Sequence, residues 1–282
     1  MNVRVLGVVY CVFLYWTDVS AQRSMEAIRQ DFRSATSTTV LVAAHRAVHN
    51  RYPENSIPAI REGIRVGVDI VEIDVKVSRD GVPFLLHDHT LDRTTTGKGE
   101  AEALTWKQLQ ELFLVDKGRR TSLKIPSLQE ALETAAGHVL VDLDLKTDNI
   151  TPILAVVKKT ATEDIVFFFD SDYAMLRRIQ RADDKLMVMP RVHNDAETDS
   201  ALVFDPPAVH IDFTCYTEQV TQRIRDSFAR TWINALGDLD DDLRKGRERR
   251  ALKALLEHGA NIVQTDEPAL LLTILRKNDL HP

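Results

Sequence analysis

Short apolar runs alternate with segments whose apolar residues recur at helical spacing. Such runs predict strands, and the spaced segments predict amphipathic helices. The predicted strands are 40–44, 70–77, 82–87, 139–146, 165–169, 186–189, 209–213, 232–236 and 262–265. The predicted helices are 56–66, 127–135, 152–160, 172–181, 218–229, 241–258 and 268–277. Ser56 before Pro58, and Ser127 three residues before Glu130, are helix-start signals. Glycines after helices, at 137 and 259, predict left-handed caps.

Repeated strand–helix alternation predicts a parallel sheet covered by helices. No glycine-rich phosphate loop follows any predicted strand, which argues against an open dinucleotide-binding sheet. We therefore expect an α/β fold, a (β/α)8 TIM barrel, with a small insertion after the second strand region. The insertion is the polar stretch at about 89–125, with one short helix at 105–113.

The first 21 residues have the pattern of a secretory signal peptide. Arg4 precedes an apolar run from 5 to 15, and small residues at 19–21 form a cleavage site. We expect a secreted or periplasmic domain of residues 22–282, without stable membrane insertion after signal removal; an uncleaved anchor is the alternative. Cleavage would remove Cys11 and leave Cys215 alone, so no intramolecular disulfide is expected.

The formal net charge is −6, and no basic stripe or tail is present. This composition argues against nucleic-acid binding. An anionic substrate would need positive charge supplied locally by a metal ion, arginine or lysine.

Carboxylates repeat at strand spacing on two predicted strands. Glu72, Asp74 and Lys76 share one strand face, and a second strand presents its own set at 142, 144 and 146. Buried carboxylates repel one another unless a divalent cation lies between them. Oxygen ligands suit Mg²⁺, Ca²⁺ or Mn²⁺. The alternative is a solvated strand face or an ion pair with Lys76.

Two histidines flank this carboxylate pattern. His45 follows the first predicted strand, and His87 is the last residue of the third, directly before Asp88. A histidine pair can supply a general base and a general acid, so the combination favours phosphodiester hydrolysis. The alternatives are a core histidine and an exposed turn. Three other histidines have no such support and are expected on the surface: His49, His89 and His193.

The chain resembles the glycerophosphodiester phosphodiesterase family. The resemblance rests on motifs in order: 45-His-Arg-Ala, 53-Pro-Glu-Asn-Ser, 72-Glu-Ile-Asp-Val, 80-Asp-Gly, 87-His-Asp, 91-Leu-Asp-Arg-Thr-Thr-Thr-Gly-Lys-Gly, 125-Ile-Pro-Ser-Leu-Gln-Glu and 265-Thr-Asp-Glu-Pro. It implies a (β/α)8 barrel with an inserted lobe at about 89–125. It also implies roles for individual residues: His45 and His87 as the acid–base pair, Arg46 and Lys146 as phosphate contacts, and Glu72, Asp74 and Asp144 as ligands of a divalent metal ion, Ca²⁺ or Mg²⁺.

The chain departs from the family pattern at three places. Ala47 stands where the family has glycine, which matters if that position needs a positive φ. Asp144 stands where the family has the longer glutamate. Trp232 lies two residues before Asn234 instead of three, and this offset changes the strand face, so the tryptophan's family role is not carried over.

The sequence therefore predicts a metal-dependent phosphoric diester hydrolase. It would convert small-molecule glycerophosphodiesters to glycerol 3-phosphate and an alcohol. One alternative is a phospholipase D-like hydrolase of intact lipid or lysolipid, which would need an apolar rim on the inserted lobe. A second is a secreted binding protein without catalysis, motivated by Ala47 and Asp144. The sequence leaves the oligomeric state open.

Overall fold

A computed structural model describes residues 23–282, so the predicted signal peptide lies outside the described residues. The strands are β1 Leu41–Ala44, β2 Ile70–Val77, β3 Pro83–Leu85, β4 Val115–Asp116, β5 Arg119–Arg120, β6 Leu140–Leu145, β7 Val166–Asp170, β8 Met187–Val192, β9 Ala208–Ile211, β10 Arg230–Asn234 and β11 Ile262–Thr265. The helices are α1 Met25–Phe32, α2 Ile57–Val66, α3 Trp106–Leu109, α4 Leu128–Ala135, α5 Ile150–Thr160, α6 Tyr173–Ala182, α7 Thr198–Leu202, α8 Glu218–Asp226, α9 Asp238–Arg244, α10 Glu248–Leu256 and α11 Pro268–Lys277.

Eight parallel strands form a closed barrel, which confirms the predicted (β/α)8 class. The order is β1-β2-β6-β7-β8-β9-β10-β11. Closure comes from β1, which pairs with β2 on one side and with β11 on the other. The predicted strand 82–87 is shorter, as β3, and lies outside the parallel barrel because it pairs antiparallel with β2.

Local capping explains where several helices begin and end. The Ser56 hydroxyl accepts the Ala59 amide, and Ser127 forms a capping box with Glu130, as predicted. Gly137 and Gly259 both have positive φ angles, 79° and 87°, so the predicted left-handed glycines are confirmed.

Two parts of the helix prediction were incomplete. The predicted helix 241–258 is two helices, α9 and α10, because Gly246 between them adopts a left-handed φ of 72°. Helices α1 and α7 were not predicted at all. Helix α1 is capped by Ser24, whose side chain accepts the Ala27 amide. Helix α7 has only 5 residues.

The segment between β2 and α4 has its own small hydrophobic cluster, separate from the main core. This cluster consists of Phe84, Leu86, Leu91, Ala101, Leu109, Leu114 and Ile125. The Leu86 amide donates to the Asp74 carbonyl at 3.1 Å, which ties the segment to the barrel just before His87. Within residues 23–282, no helix has the length and apolar character needed to cross a membrane.

A buried arginine closes the amino-terminal end of the barrel. Arg230, at the start of β10, donates to the carbonyls of Asp31, Thr39 and Asn261. Burial lowers the pKa of Arg230 to about 10. These bonds join α1 to the residues that precede β1 and β11, at the end of the barrel opposite the candidate site.

Candidate active site

The chemically functional side chains gather at the carboxyl-terminal ends of the barrel strands. His45 follows β1, Asp74 lies within β2, Asp144 lies within β6, and Asp266 follows β11. This end carries the active site in TIM-barrel enzymes generally, because the strand ends and following loops converge there.

Glu72, Asp74 and Asp144 form an acidic trio whose ligand oxygens lie within 4.8 Å of one another. The strand register explains the grouping, because Asp74 is paired with Asp144 across β2 and β6. Glu72 and Asp74 are buried, so the alternative of a solvated strand face is wrong. Lys76 does not pair with them; its ammonium donates to the Lys146 carbonyl at 3.0 Å.

The trio fits a divalent cation. Among residues 23–282, the Glu72 Oε1 atom is buried without a hydrogen-bond partner, while Oε2 accepts from the Arg46 amide at 2.7 Å and from Gln264 at 3.3 Å. Burial, followed by the charges of Asp74 and Asp144, raises the pKa of Glu72 well above its usual value. Burial also raises the pKa of Asp144 to about 6. A cation with oxygen ligands would remove this repulsion and coordinate the unpartnered oxygen.

Neighbouring polar groups fix the orientation of the trio. The Asn55 amide donates to Asp74 Oδ2 at 2.6 Å, and its oxygen accepts the Asp74 backbone amide at 3.0 Å. The Lys146 ammonium lies 2.7 Å from Asp144 Oδ2 and 3.5 Å from Asp74 Oδ1. The Arg46 Nε atom lies 3.6 Å from Asp74 Oδ2. Two cations therefore border the trio directly.

Each predicted acid–base histidine contacts a carboxylate through Nδ1. His45 lies 2.8 Å from Asp266 Oδ1, and His87 lies 2.7 Å from Asp88 Oδ1. Burial raises the pKa of Asp266, but the hydrogen bond and the charge of His45 lower it, and the result is a pKa below the usual value. A carboxylate that accepts Nδ1–H leaves Nε2 of each ring available for proton transfer.

A second ionic network surrounds His87. Arg93 binds Asp88 and Glu54, and Glu54 in turn accepts a hydrogen bond from Arg46 at 2.9 Å. The hydrogen bond from Arg93 is the main cause that lowers the pKa of Asp88. Burial raises this pKa, and the hydrogen bond from His87 lowers it further. The network connects the residues after β1 with the inserted segment.

A cavity of about 100 Å³ opens beside the trio on the β7–β11 side of the barrel. Trp232 and Asn234 share its wall and are joined by a 3.1 Å hydrogen bond from the indole Nε1. Burial, followed by the Arg191 charge, lowers the pKa of His210 to about 4, so this ring is neutral at pH 7. The lining residues are His45, Glu72, Asp142, Asp144, Phe169, Met189, Arg191, His210, Trp232, Asn234, Leu236 and Gln264.

Several residues of the candidate site and its surroundings were not assigned a role from the sequence. Asp88, Arg93 and Asp266 lie in the quoted motifs, and that position was the available signal. Gln264 and His210 carry no local signal. His49 was expected on the surface but is half-buried beside His45, with its Nδ1 at 2.9 Å from the His45 carbonyl. His89 and His193 are exposed, as expected.

The comparisons with known proteins point to one family. A profile described as "Glycerophosphoryl diester phosphodiesterase family" matches residues 45–270. This range includes both histidines, the acidic trio and Asp266.

The curated relatives match over part of their length. Glycerophosphodiester phosphodiesterase 1 of Mus musculus is 33% identical over 132 residues, which cover 45% of this chain and 38% of that protein. Glycerophosphodiester phosphodiesterase of Caldanaerobacter subterraneus subsp. tengcongensis is 29% identical over 153 residues, covering 50% of this chain and 62% of that protein. The matched segments thus span less than two thirds of these relatives.

Solved structures match over most of the chain. A glycerophosphoryl diester phosphodiesterase from Parabacteroides distasonis has a TM-score of 0.79 at 22% identity, covering 93% of this chain and 94% of that one, which shows the shared fold. An Oleispira antarctica phosphodiesterase, solved in complex with the product sn-glycerol-3-phosphate, has a TM-score of 0.73 at 25% identity, covering 86% of this chain and 99% of that one.

Proposed function

Because the chain belongs to the glycerophosphoryl diester phosphodiesterase family, we propose that it hydrolyses glycerophosphodiesters to glycerol 3-phosphate and an alcohol. The observation that carries this proposal is the buried acidic trio of Glu72, Asp74 and Asp144, with Arg46 and Lys146 beside it. The product complex of the Oleispira antarctica phosphodiesterase supports a small-molecule substrate of this class.

The trio would hold a divalent cation, Ca²⁺ or Mg²⁺. When bound, such an ion supplies positive charge that stabilises the charge developing on the phosphate oxygens. The unpartnered Oε1 of Glu72 supports this assignment. The shorter Asp144 remains within the trio, so replacement of the family's glutamate leaves a carboxylate there.

The basic side chains next to the trio would bind the phosphate. The Lys146 ammonium and the Arg46 guanidinium both lie within 3.6 Å of Asp74 oxygens. Both cations are held by carboxylates, so their positions are set before the substrate arrives. A phosphodiester there would meet positive charge on two sides.

The two histidines would move the protons. One Nε2 takes a proton from the nucleophile as the new P–O bond forms. The nucleophile is water, which gives glycerol 3-phosphate directly, or the glycerol 2-hydroxyl of the substrate, which gives a cyclic phosphate that water then opens to glycerol 3-phosphate. The other histidine gives a proton to the departing alcohol oxygen as the old P–O bond breaks. Asp266 and Asp88 hold the rings and stabilise their protonated forms. Either histidine can be the base, with the other as the acid.

The test is release of glycerol 3-phosphate from glycerophosphocholine by the purified protein with Ca²⁺ or Mg²⁺, followed by excess chelator. We expect release that chelation abolishes and that Glu72→Gln lacks, while Glu133→Gln, an exposed change on α4, retains it. No release with any metal ion would contradict the proposal, and would favour another diester substrate or binding without turnover.

Lysophosphatidylcholine in the same assay tests the phospholipase D-like alternative. That alternative predicts an apolar rim on the inserted segment. The large hydrophobic side chains that are exposed within residues 23–282 lie elsewhere, at Val203, Phe213 and Phe228. We therefore expect glycerophosphocholine to be the better substrate. We also propose that the protein acts outside the cytoplasm, which rests on residues 1–21 and is tested by amino-terminal sequencing of the mature protein.

A further inference from the structure

Arg93, in the segment inserted between β2 and α4, binds two carboxylates at the same time. Its Nε and Nη2 atoms donate to the two oxygens of Asp88 at 2.7 and 2.9 Å. Its Nη1 and Nη2 atoms donate to the two oxygens of Glu54 at 2.7 and 2.8 Å. A guanidinium can do this because its donors lie in one plane and form a rigid fork.

We propose that Arg93 is a positioning residue for His87, acting through Asp88 and anchored by Glu54. The proposal rests on the proposed function, in which His87 transfers a proton. Arg93 itself does not touch the substrate in this scheme. Its task is to fix the plane of the Asp88 carboxylate, and thereby the ring that this carboxylate holds.

Asp88 connects Arg93 to His87, because it accepts hydrogen bonds from both. Oδ1 accepts from both His87 Nδ1 at 2.7 Å and Arg93, while Oδ2 accepts only from Arg93 among the described residues. The Asp88 side chain is partly exposed, so without Arg93 it would rotate toward water and take the ring with it. Which ring nitrogen is protonated depends on the partner of the other nitrogen. Arg93 therefore fixes both the direction and the tautomer of His87.

Glu54 connects Arg93 to Arg46, because it accepts hydrogen bonds from both. Its Oε1 atom accepts from Arg93 at 2.8 Å and from Arg46 at 2.9 Å. The same carboxylate thus holds Arg46, the proposed phosphate contact, and Arg93, which orients His87. This arrangement fixes the separation between the phosphate and the proton donor or acceptor, a distance on which proton transfer depends steeply.

The network is poorly placed to act mainly through stability. The side chains of Arg93 and Glu54 are 47% and 16% exposed, so their contact lies at the edge of the solvent, where ion pairs generally contribute about 0–1 kcal/mol to folding. The bidentate geometry instead provides orientation. Loss of Arg93 should therefore lower turnover while leaving the fold intact.

The kinetic test uses Arg93→Ala and Arg93→Lys in the full chain with glycerophosphocholine and saturating metal ion. For Arg93→Ala we expect kcat to fall about 10–100-fold, the same range as when a metal-binding histidine loses the partner that orients it, with KM changing far less. Lysine should restore little, because one ammonium cannot bridge both carboxylates in a fork. Since the site is exposed, added guanidinium should partly restore Arg93→Ala but not His87→Ala.

Matched controls separate this role from a general loss of surface charge. Arg65→Ala removes an exposed arginine that makes the same kind of paired contact to Glu62. Lys98→Ala removes an exposed cation within the inserted segment. Both variants should keep wild-type kcat, and an equal loss in either control would overturn the proposal.

A spectroscopic measurement tests the positioning without needing activity. In ¹⁵N-histidine-labelled protein, with the His87 signal identified from His87→Ala, we expect a protonated Nδ1 that is lost or averaged in Arg93→Ala. An unchanged His87 signal in Arg93→Ala would overturn the proposal, even if turnover falls. A changed signal in a protein that hydrolyses no glycerophosphodiester would support the positioning and contradict the proposed function instead.

Discussion

His45 and Asp266 lie 221 residues apart in the sequence, and a 2.8 Å contact joins Nδ1 of the ring to Oδ1 of the carboxylate. The contact forms because β1 pairs with β11, so the residues that follow these two strands are neighbours at the barrel rim. His87 has an equivalent partner in Asp88, but one that comes from the next position in the chain. Two histidine–carboxylate pairs of different origin thus serve the same site.

The first prediction concerns Asp266→Asn. A neutral amide stabilises a protonated His45 less well and can favour the wrong ring tautomer. We expect kcat to fall about 10²-fold, near the lower limit for losing a general acid–base group, with little change in metal affinity. Steady-state kinetics and calorimetric metal titration measure the two quantities. Asn50→Ala, which removes a bond to the Asp266 carbonyl and spares the carboxylate, is the control. Equal turnover in wild type and Asp266→Asn would refute the role.

The second prediction concerns the acidic trio without metal. Burial and neighbouring carboxylates raise the pKa of Glu72, so the folded protein binds this proton more tightly than the unfolded chain does. Stability from this group is present at low pH and is lost as pH rises above the unfolded value of about 4.3. In chelator, Glu72→Gln should therefore become more stable than wild type as pH rises from about 5 to 8, by about 1.4 kcal/mol for each unit of raised pKa.

Urea unfolding of both proteins at several pH values measures this difference. Contributions from titrating groups that do not interact with Glu72, such as His210, are shared by the two proteins and cancel, whereas the measured difference includes the effect of Glu72 on Asp74 and Asp144. Saturating Ca²⁺ or Mg²⁺ should reverse the order, because wild type keeps all three carboxylates and gains more binding free energy than Glu72→Gln, about 2.7 kcal/mol at a hundredfold excess over the Kd of wild type. An order that does not change with metal would count against the cation site.

The barrel class was predictable because it follows from local alternation of apolar runs and helical patterns. The break between α9 and α10 was missed because Gly246 lies in a charge run, where polar residues hide the helical period. The trio was predictable because strand alternation places Glu72 and Asp74 on one face. The Gln264 contact to Glu72 was not, since it spans 192 residues and depends on barrel closure.

The third prediction concerns the contribution of Arg230 to stability, at the end of the barrel opposite the candidate site. Arg230→Met removes a buried guanidinium that donates to carbonyls of Asp31, Thr39 and Asn261. Among the described residues only the Thr39 carbonyl would lose its donor, because the Asp31 and Asn261 carbonyls also accept the Ser34 and Leu41 amides. We therefore expect a loss of about 1–3 kcal/mol in the free energy of unfolding. Turnover below the melting transition should be unchanged. Arg249→Met, an exposed change on α10, should alter stability by less than about 0.5 kcal/mol. A small effect at Arg230 would mean that water replaces its hydrogen bonds.

The fourth prediction concerns Ala47, where the family pattern has glycine. Ala47 has a φ of 62°, so the position does require the left-handed region that glycine adopts without strain. Its amide donates to the Glu72 carbonyl at 2.9 Å, which holds this turn against β2. Relief of about 1–2 kcal/mol of strain offsets both the greater chain entropy of glycine, about 0.5–1 kcal/mol, and the loss of a buried methyl group, about 0.8 kcal/mol. Ala47→Gly should therefore leave the free energy of unfolding nearly unchanged, without changing kcat.

Ala44→Gly is the matched comparison for this substitution, because Ala44 is also buried but lies in the regular strand β1. There glycine adds flexibility to the unfolded chain and also removes a buried methyl group, so the free energy of unfolding should fall by about 1–2 kcal/mol. A clearly smaller loss at Ala47 than at Ala44 in urea unfolding would show that the backbone conformation decides the difference. An equal loss at both positions would mean that the φ angle of Ala47 costs this chain nothing, and that its turn has adapted to the alanine.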